Sequence, residues 1–230
     1  MDYNIEVISN VVLEERKLSD INTVERLAKL LNECFYDNNN NEITNITHIY
    51  KGHDFFICSH NSKIVGLASV NINSYSTVSE TNIDTYNTDR YIINKDNRVY
   101  DKQNNIIVDE KTQNVDPKIT SLCKDKEYKN VGSVILKYIE KYYRKKGTTK
   151  IYLVAGSSRN YNVLKNAHMF NNTESINKYN KLYKHDNENL IKYYNKNGYK
   201  ILDGYYDYDY IKLKDGSYII TFFNTLYKNI

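Results

Sequence analysis

The residues best suited to chemistry lie between Lys126 and Gly147, in KEYKNVGSVILKYIEKYYRKKG. A loop with one glycine runs directly into an amphipathic helix. The first backbone N–H groups of a helix have no partners within it, and the helix dipole adds positive potential there, so such a start favours an anion. Glycine lets the backbone approach phosphate oxygens closely. Lys129, Asn130, Val131, Gly132, Ser133 and Val134 would form this cradle, with Lys124 and Lys126 adding charge. The same residues also read as a plain turn with a solvated lysine run. Neither the GxxxxGK[ST] pattern nor the GxGxxG pattern is present.

Other candidate chemistry is thinner. Cys34, Cys58 and Cys123 are far apart and odd in number, with no CxxC pair, so they read as reduced residues and not as zinc ligands. No metal is expected. His48, His53, His60, His168 and His185 fall in polar loops or turns and form no cluster. In DGYYDYDYIKL (203–213), strand alternation would put Asp207 and Asp209 on one face and Tyr206, Tyr208 and Tyr210 on the other. That row suits a cationic amine and equally suits a solvent-facing strand.

The positioning elements follow from hydrophobic period and turn chemistry. YNIEVISNVV (3–12) reads as a first strand. SDINTVERLAKLLNECF (19–35) reads as a helix capped by Ser19 or Asp20, with Val24, Leu27, Leu30, Leu31, Cys34 and Phe35 at helical spacing. A short helix is expected at 43–50. DFFICSHNSKIVGLASVNI (54–72) reads as a hairpin about a His-Asn-Ser turn. KITSLCK (118–124) and KIYLVAG (150–156) are strands around a helix over 132–146, which ends on Gly147. DNENLIKYYNKNGYKIL (186–202) is a helix stopped at Asn197-Gly198, then a strand. Two more strands, about 205–213 and 217–227, flank a KDGS turn. Polar stretches at about 74–116 and 157–185 read as insertions, the first with one or two hairpins and the second with a helix at 175–184. The order βα(α)ββ–β–α–β–α–ββ implies one mixed α/β domain over 1–230.

Whole-chain properties exclude some classes. With 32 basic against 28 acidic residues, the charge is too balanced to imply a nucleic-acid partner. No apolar run is long enough to span a membrane. MDYNIEVISN lacks the basic and apolar regions of a signal peptide, so a cytoplasmic location is expected.

In this setting the ordered segments resemble the GCN5-related N-acetyltransferase (GNAT) family. FFICSHNSKIVGLASV looks like its second and third strands. ITSLCKDKEYKNVGSVILKYIEKYYRKKGTTKIYLVA looks like its acetyl-CoA motif of strand, pyrophosphate loop, helix and strand. NENLIKYYNKNGYKI matches its later pattern N-x-x-(A/L)-(I/x)-x-x-Y-x-x-x-G-(F/Y), with Asn187, Tyr194, Gly198 and Tyr199 in register. The resemblance covers about half the chain. It implies an acyl-CoA N-acyltransferase fold: a mixed, mostly antiparallel sheet flanked by helices, here with two polar insertions.

It also implies roles. Leu122, Cys123 and Lys124 would carry the pantetheine arm by their backbone. Residues 129–134 would hold the pyrophosphate, and Asn187 would bond the cofactor. Tyr194 would be the general acid toward the departing thiolate, and its alternative is simple packing on the sheet. The family loop reads (Q/R)-x-x-G-x-(G/A). Here Lys129 and Val134 stand at the outer positions, or else Gly132 is the last glycine of a shortened loop. The base is not identified: Glu33 and Asp37 are candidates that also read as solvated surface residues. The implied cosubstrate is acetyl-CoA and the implied acceptor a primary amine, a small molecule slightly favoured over a peptide, with room for a homodimer. The alternative is a non-catalytic acyl-CoA-binding or protein-interaction module on the same fold.

Overall fold

The computed structural model describes residues 2–9, 21–35, 52–72, 78–79, 91–93, 99–101, 117–156, 186–212 and 218–230. The helices expected at 43–50 and 175–184, the caps Ser19 and Asp20, Asp37, the KDGS turn, most of 74–116 and all of 157–185 lie outside them. So do His48, His168 and His185, and the side chains of Asp207 and Asp209. The chain forms two compact units, one of residues 1–74, 115–153 and 228–230, the other of 75–114 and 154–227.

In the first unit, β1 (Asn4–Ser9), β2 (His53–His60), β3 (Lys63–Asn71) and β7 (Lys118–Lys124) pair antiparallel in that order. β8 (Lys150–Ala155) then adds parallel to β7. The β2–β3 hairpin turns at Asn61 and Ser62, whose φ angles of 48° and 63° are the positive values a tight two-residue turn needs. Helix α1 (Ile21–Phe35) buries Val24, Leu27, Leu30 and Leu31 with Ile8, Phe55, Ile57, Leu67 and Cys123. Helix α2 (Val131–Lys145) buries Val131, Ile135, Leu136, Ile139 and Tyr143. Phe56 meets the rings of Tyr138, Tyr142 and Tyr143. Because side chains alternate along a strand, Phe55 and Ile57 on α1 and Phe56 on α2 place the two helices on opposite faces of the sheet.

Both expected glycine stops are present. Gly147 has φ 85°, with Thr148 N–H on the Tyr143 carbonyl at 3.0 Å, a Schellman ending. Two polar ties lie under α2. Tyr143 donates its hydroxyl to Asp54 at 2.9 Å, and burial first, then the Asp54 charge, pushes its phenol far up. Lys228 bonds buried Glu140 at 2.7 Å, which fixes the chain end to the helix.

One expectation is corrected here. Cys34 and Cys123 are joined as a disulfide between α1 and β7, with Cα atoms 5.9 Å apart, so they are not two reduced thiols. The pairing spans 89 residues and depends on α1 lying against β7, which cysteine spacing does not encode. Cys58 is free and buried, and burial raises its thiol to about 11.

In the second unit, β9 (Lys200–Lys212) pairs antiparallel with β10 (Tyr218–Asn229), and β4 (Val78–Ser79) with β9. The first polar stretch also carries a hairpin of β5 (Tyr91–Ile93) and β6 (Val99–Asp101). Helix α3 covers 186–196 and ends at Gly198, φ 87°, with Tyr199 N–H on the Tyr194 carbonyl at 3.1 Å. The two strands expected around Asp203-Gly204 are one. The register steps from Tyr206↔Asn224 to Ile201↔Leu226, so residues 202–205 stand against Thr225 alone and the strand absorbs the Asp-Gly pair as an irregularity.

Candidate functional site

The first unit builds its candidate site where β7 leaves β8. The parallel pairing is confined to Lys118↔Tyr152 and Ile119↔Leu153, with Tyr152 N–H donating to the Pro117 carbonyl at 2.9 Å. On its other edge β7 stays paired with β3 as far as Lys124↔Gly66. The pairing with β3 is irregular at the same point. Ser121 opposes Ser69 and Ile119 opposes Val70, so Thr120 is an extra residue, and a bulge of this kind bends and twists its strand. The Thr120 hydroxyl lies 2.8 Å from Ser69 Oγ, with the Ser69 carbonyl at 3.3 Å, which seals the bulge against β3. The β7–β8 register covers Lys118 and Ile119, and β7 itself runs on to Lys124. The backbone there can pair with an extended ligand.

The loop 125–130 then leads into α2. Asn130 takes a left-handed conformation, φ 61°, and gives no side-chain cap. The first intrahelical bond runs from Val134 N–H to the Asn130 carbonyl at 3.0 Å, so the amides of Val131, Gly132 and Ser133 come ahead of it. Lys124, Lys126, Lys129 and Asn130 are exposed, Val131 and Gly132 buried, Ser133 and Val134 half-buried. Gly66 lets the helix start approach the sheet. A Cβ there would meet Ile135 Cδ1 at 2.9 Å and Val131 Cγ1 closer still.

The loop is held by contacts absent from the sequence reading. Tyr3 donates its hydroxyl to the Lys129 carbonyl at 2.8 Å, and Lys124 donates to the Tyr128 carbonyl at 3.3 Å. Asp125 accepts the Glu127 N–H at 3.1 Å and faces Lys63 at 3.3 Å and Arg26 at 3.4 Å. Burial alone would raise the Asp125 carboxyl, but the Glu127 amide, Lys63 and Arg26 together hold it below its ordinary value. An Asp two residues ahead of its amide partner is a local Asx-turn signal that could have marked this residue. Arg26 and Lys63 carry no such mark.

Leu122, Cys123 and Lys124 end β7, and residues 129–134 lie after the four loop residues 125–128, at the start of α2, so these nine positions fall on one strand–loop–helix segment. The Cys123 sulfur is committed to the disulfide, which removes it as a nucleophile and leaves only its backbone for a ligand. Glu33 is exposed and pairs with Arg26 at 3.7 Å, a surface role.

Asn187 and Tyr194 lie on α3 in the second unit, and both are buried. The Tyr194 ring meets those of Tyr193 and Tyr199 at 5.3 and 6.1 Å between centroids. Burial first, and the neighbouring Tyr193 second, raises its phenol well above the ordinary value, so it stays protonated through neutral pH. Among the described residues no three His, Cys, Asp or Glu side chains converge as metal ligands, and no helix is long and apolar enough to cross a membrane.

No protein-family model and no curated protein matches this sequence. The chain is similar to three solved acetyltransferase structures, among others. One is an N-acetyltransferase from Staphylococcus aureus Mu50, at 13% identity over 100% of this chain and 98% of that one, TM-score 0.48. Another is a GNAT family acetyltransferase from Elizabethkingia anophelis with acetyl-CoA bound, at 11% identity over 99% of each chain, TM-score 0.44. The third is the ribosomal-protein-S18-alanine N-acetyltransferase from Escherichia coli, at 10% identity over 100% of this chain and 94% of that one, TM-score 0.45. The first unit itself carries a mixed, mostly antiparallel sheet with helices against it, as expected from the ordered segments.

Proposed function

We propose that this chain is an acetyl-CoA-dependent N-acetyltransferase that moves the acetyl group directly to a primary amine. One observation carries the reading: β7 runs on past its last register pair with β8, Ile119↔Leu153, and leads through a loop into the N-terminus of α2. The edge of an extended strand suits an amide-bearing arm, and a helix start suits a diphosphate. Acetyl-CoA carries both groups in that order, and the residues present fit it.

When bound, acetyl-CoA supplies an activated acetyl thioester. The backbone of Leu122, Cys123 and Lys124 pairs with the pantetheine arm. The amides of Val131, Gly132 and Ser133 face the diphosphate, with Lys129, Asn130 and Val134 flanking them. Asn187 bonds the cofactor. Tyr194 holds a proton for the departing sulfur. Its raised phenol suits a hydrogen-bond donor better than a freely ionising acid, and assistance of this kind is worth roughly 10²–10⁴-fold. The acceptor amine must be uncharged to attack, although an alkylammonium ordinarily keeps its proton up to about pH 10. A small amine is favoured over a peptide because the two polar insertions would narrow the acceptor site.

The experiment is a thiol-release assay with acetyl-CoA across a panel of polyamines, amino sugars, amino acids and peptides. Release with at least one amine is expected. Acetyl-CoA binding with no release on any amine would favour a non-catalytic acyl-CoA-binding module instead. Absence of both binding and release would end the proposal.

A further inference from the structure

Asp125 poses an electrostatic problem. It opens a loop read as the binding site for a diphosphate, where a carboxylate would repel the ligand. Like charges repel more strongly at a protein surface than in bulk water, because the effective dielectric is lower there. The surrounding contacts answer this. Arg26 reaches Asp125 Oδ2 from α1 at 3.4 Å, and Lys63 reaches the same oxygen from β3 at 3.3 Å. Oδ1 accepts the Glu127 N–H at 3.1 Å. The backbone is used as well: Asp125 N–H donates to the Val65 carbonyl at 2.9 Å, and its carbonyl accepts the Tyr128 N–H at 3.2 Å. One residue therefore binds the loop to β3, to α1 and to itself.

The charges continue outward as an alternating chain. Glu33 pairs with Arg26 at 3.7 Å, and Glu127 with Lys63 at 3.8 Å. Each cation is thus shared between Asp125 and a second carboxylate. Lys63 also lies over the Tyr128 ring at 5.1 Å, which fixes the middle of the loop. The acidic groups of the loop are turned toward these cations, while Lys126 and Lys129 are exposed.

We infer that Asp125, neutralised by Arg26 and Lys63, is a positioning residue that sets the loop for the diphosphate of an acyl-CoA. The inference rests on the acetyl-CoA reading above. Asp125 does not touch the ligand in this account; it acts through the loop backbone. An Asp here can serve both cations and the amide, whereas Asn keeps only the acceptor for the amide. Alanine keeps neither.

The test compares two ligands that share a thioester and pantetheine arm and differ in phosphate. Dissociation constants of acetyl-CoA and of S-acetylpantetheine are measured for the wild type, Asp125→Asn, Asp125→Ala and Arg26→Gln by ligand-observed NMR, which reads millimolar affinities. Thermal unfolding of each variant is recorded alongside. Asp125→Ala should weaken acetyl-CoA by roughly tenfold to a hundredfold, the range for losing a hydrogen bond to a charged group. Asp125→Asn should fall between it and the wild type. S-acetylpantetheine should change by less than about threefold in every variant. Arg26→Gln, which leaves the Asp125 charge partly uncompensated, should weaken acetyl-CoA alone. Equal losses for both ligands, or unchanged acetyl-CoA affinity in Asp125→Ala, overturn the positioning role and leave the acetyl-CoA reading standing. A wild type that binds S-acetylpantetheine as tightly as acetyl-CoA overturns it as well. If the wild type does not bind acetyl-CoA, both fall. Should Asp125→Ala fail to fold, Arg26→Gln and Asp125→Asn decide by the same ratio.

Discussion

The loop before α2 and the helix that carries Tyr194 are built on opposite principles. In the loop, function is assigned to backbone: groups on β7, amides at a helix start, and side chains such as Asp125, Tyr3 and Lys124 that hold the backbone in place. On α3, function is assigned to side chains, Asn187 toward the cofactor and, for the proton, the single hydroxyl of Tyr194, whose ring neighbours are Tyr193 and Tyr199. A backbone site has no single essential side chain. A one-residue site fails at one substitution. The two regions should therefore break differently.

The largest effect is expected from the single-residue site. Tyr194→Phe should lower kcat by roughly 10²–10⁴-fold while the acetyl-CoA dissociation constant stays within about twofold, read by thiol release and by calorimetric titration. A comparable rise in KM without loss of kcat would move Tyr194 from chemistry to packing.

Next come changes that undermine the frame of the backbone site without entering it. Lys228→Met leaves buried Glu140 without its 2.7 Å partner, and stability should fall by about 3 kcal/mol in denaturant titration. Gly66→Ala forces a Cβ against Val131 and Ile135 at the start of α2, costing about 1–3 kcal/mol. This variant should also weaken acetyl-CoA, because the helix start must shift. It should leave the Tyr194 region unaffected, so kcat at saturation would stay near that of the wild type.

The pH dependence sharpens the contrast further. Asp125 has a folded value below its unfolded one, so its contribution is present above about pH 4 and is lost as pH falls through the folded value. Tyr194 has a raised folded value, so its contribution is present below about pH 10 and is lost as pH rises beyond the unfolded value. Asp125→Asn should therefore flatten the acid limb of the stability profile, and Tyr194→Phe the alkaline limb. The smallest effect belongs to Lys129→Gln, an exposed charge at the loop: acetyl-CoA affinity should drop only a few-fold, and less in high salt.

What the sequence disclosed follows the same division. Local signals were legible. The apolar spacing of α1, the Asn61-Ser62 hairpin, and the stops at Gly147 and Gly198 all depend on residues within one turn of each other. Long-range partnerships were not. The Cys34–Cys123 pairing needs α1 against β7, and the Asp125 hub draws Arg26 from 99 positions away. The Thr120 bulge left only a faint trace, two hydroxyl residues inside KITSLCK, because a bulge is defined by the register of the neighbouring strand. The break expected between a strand ending at 202 and another from about 205 is absent for a related reason: β9 carries residues 202–205 as a register step against β10.

The central claim is that the edge of β7 and the start of α2 together hold acetyl-CoA. Amide hydrogen exchange, followed by mass spectrometry with and without saturating acetyl-CoA, tests it most directly. The account predicts slowed exchange in peptides spanning 120–124 and 131–134, with peptides from β1 and β2 unchanged. Binding that leaves 120–124 and 131–134 exchanging as before would contradict it.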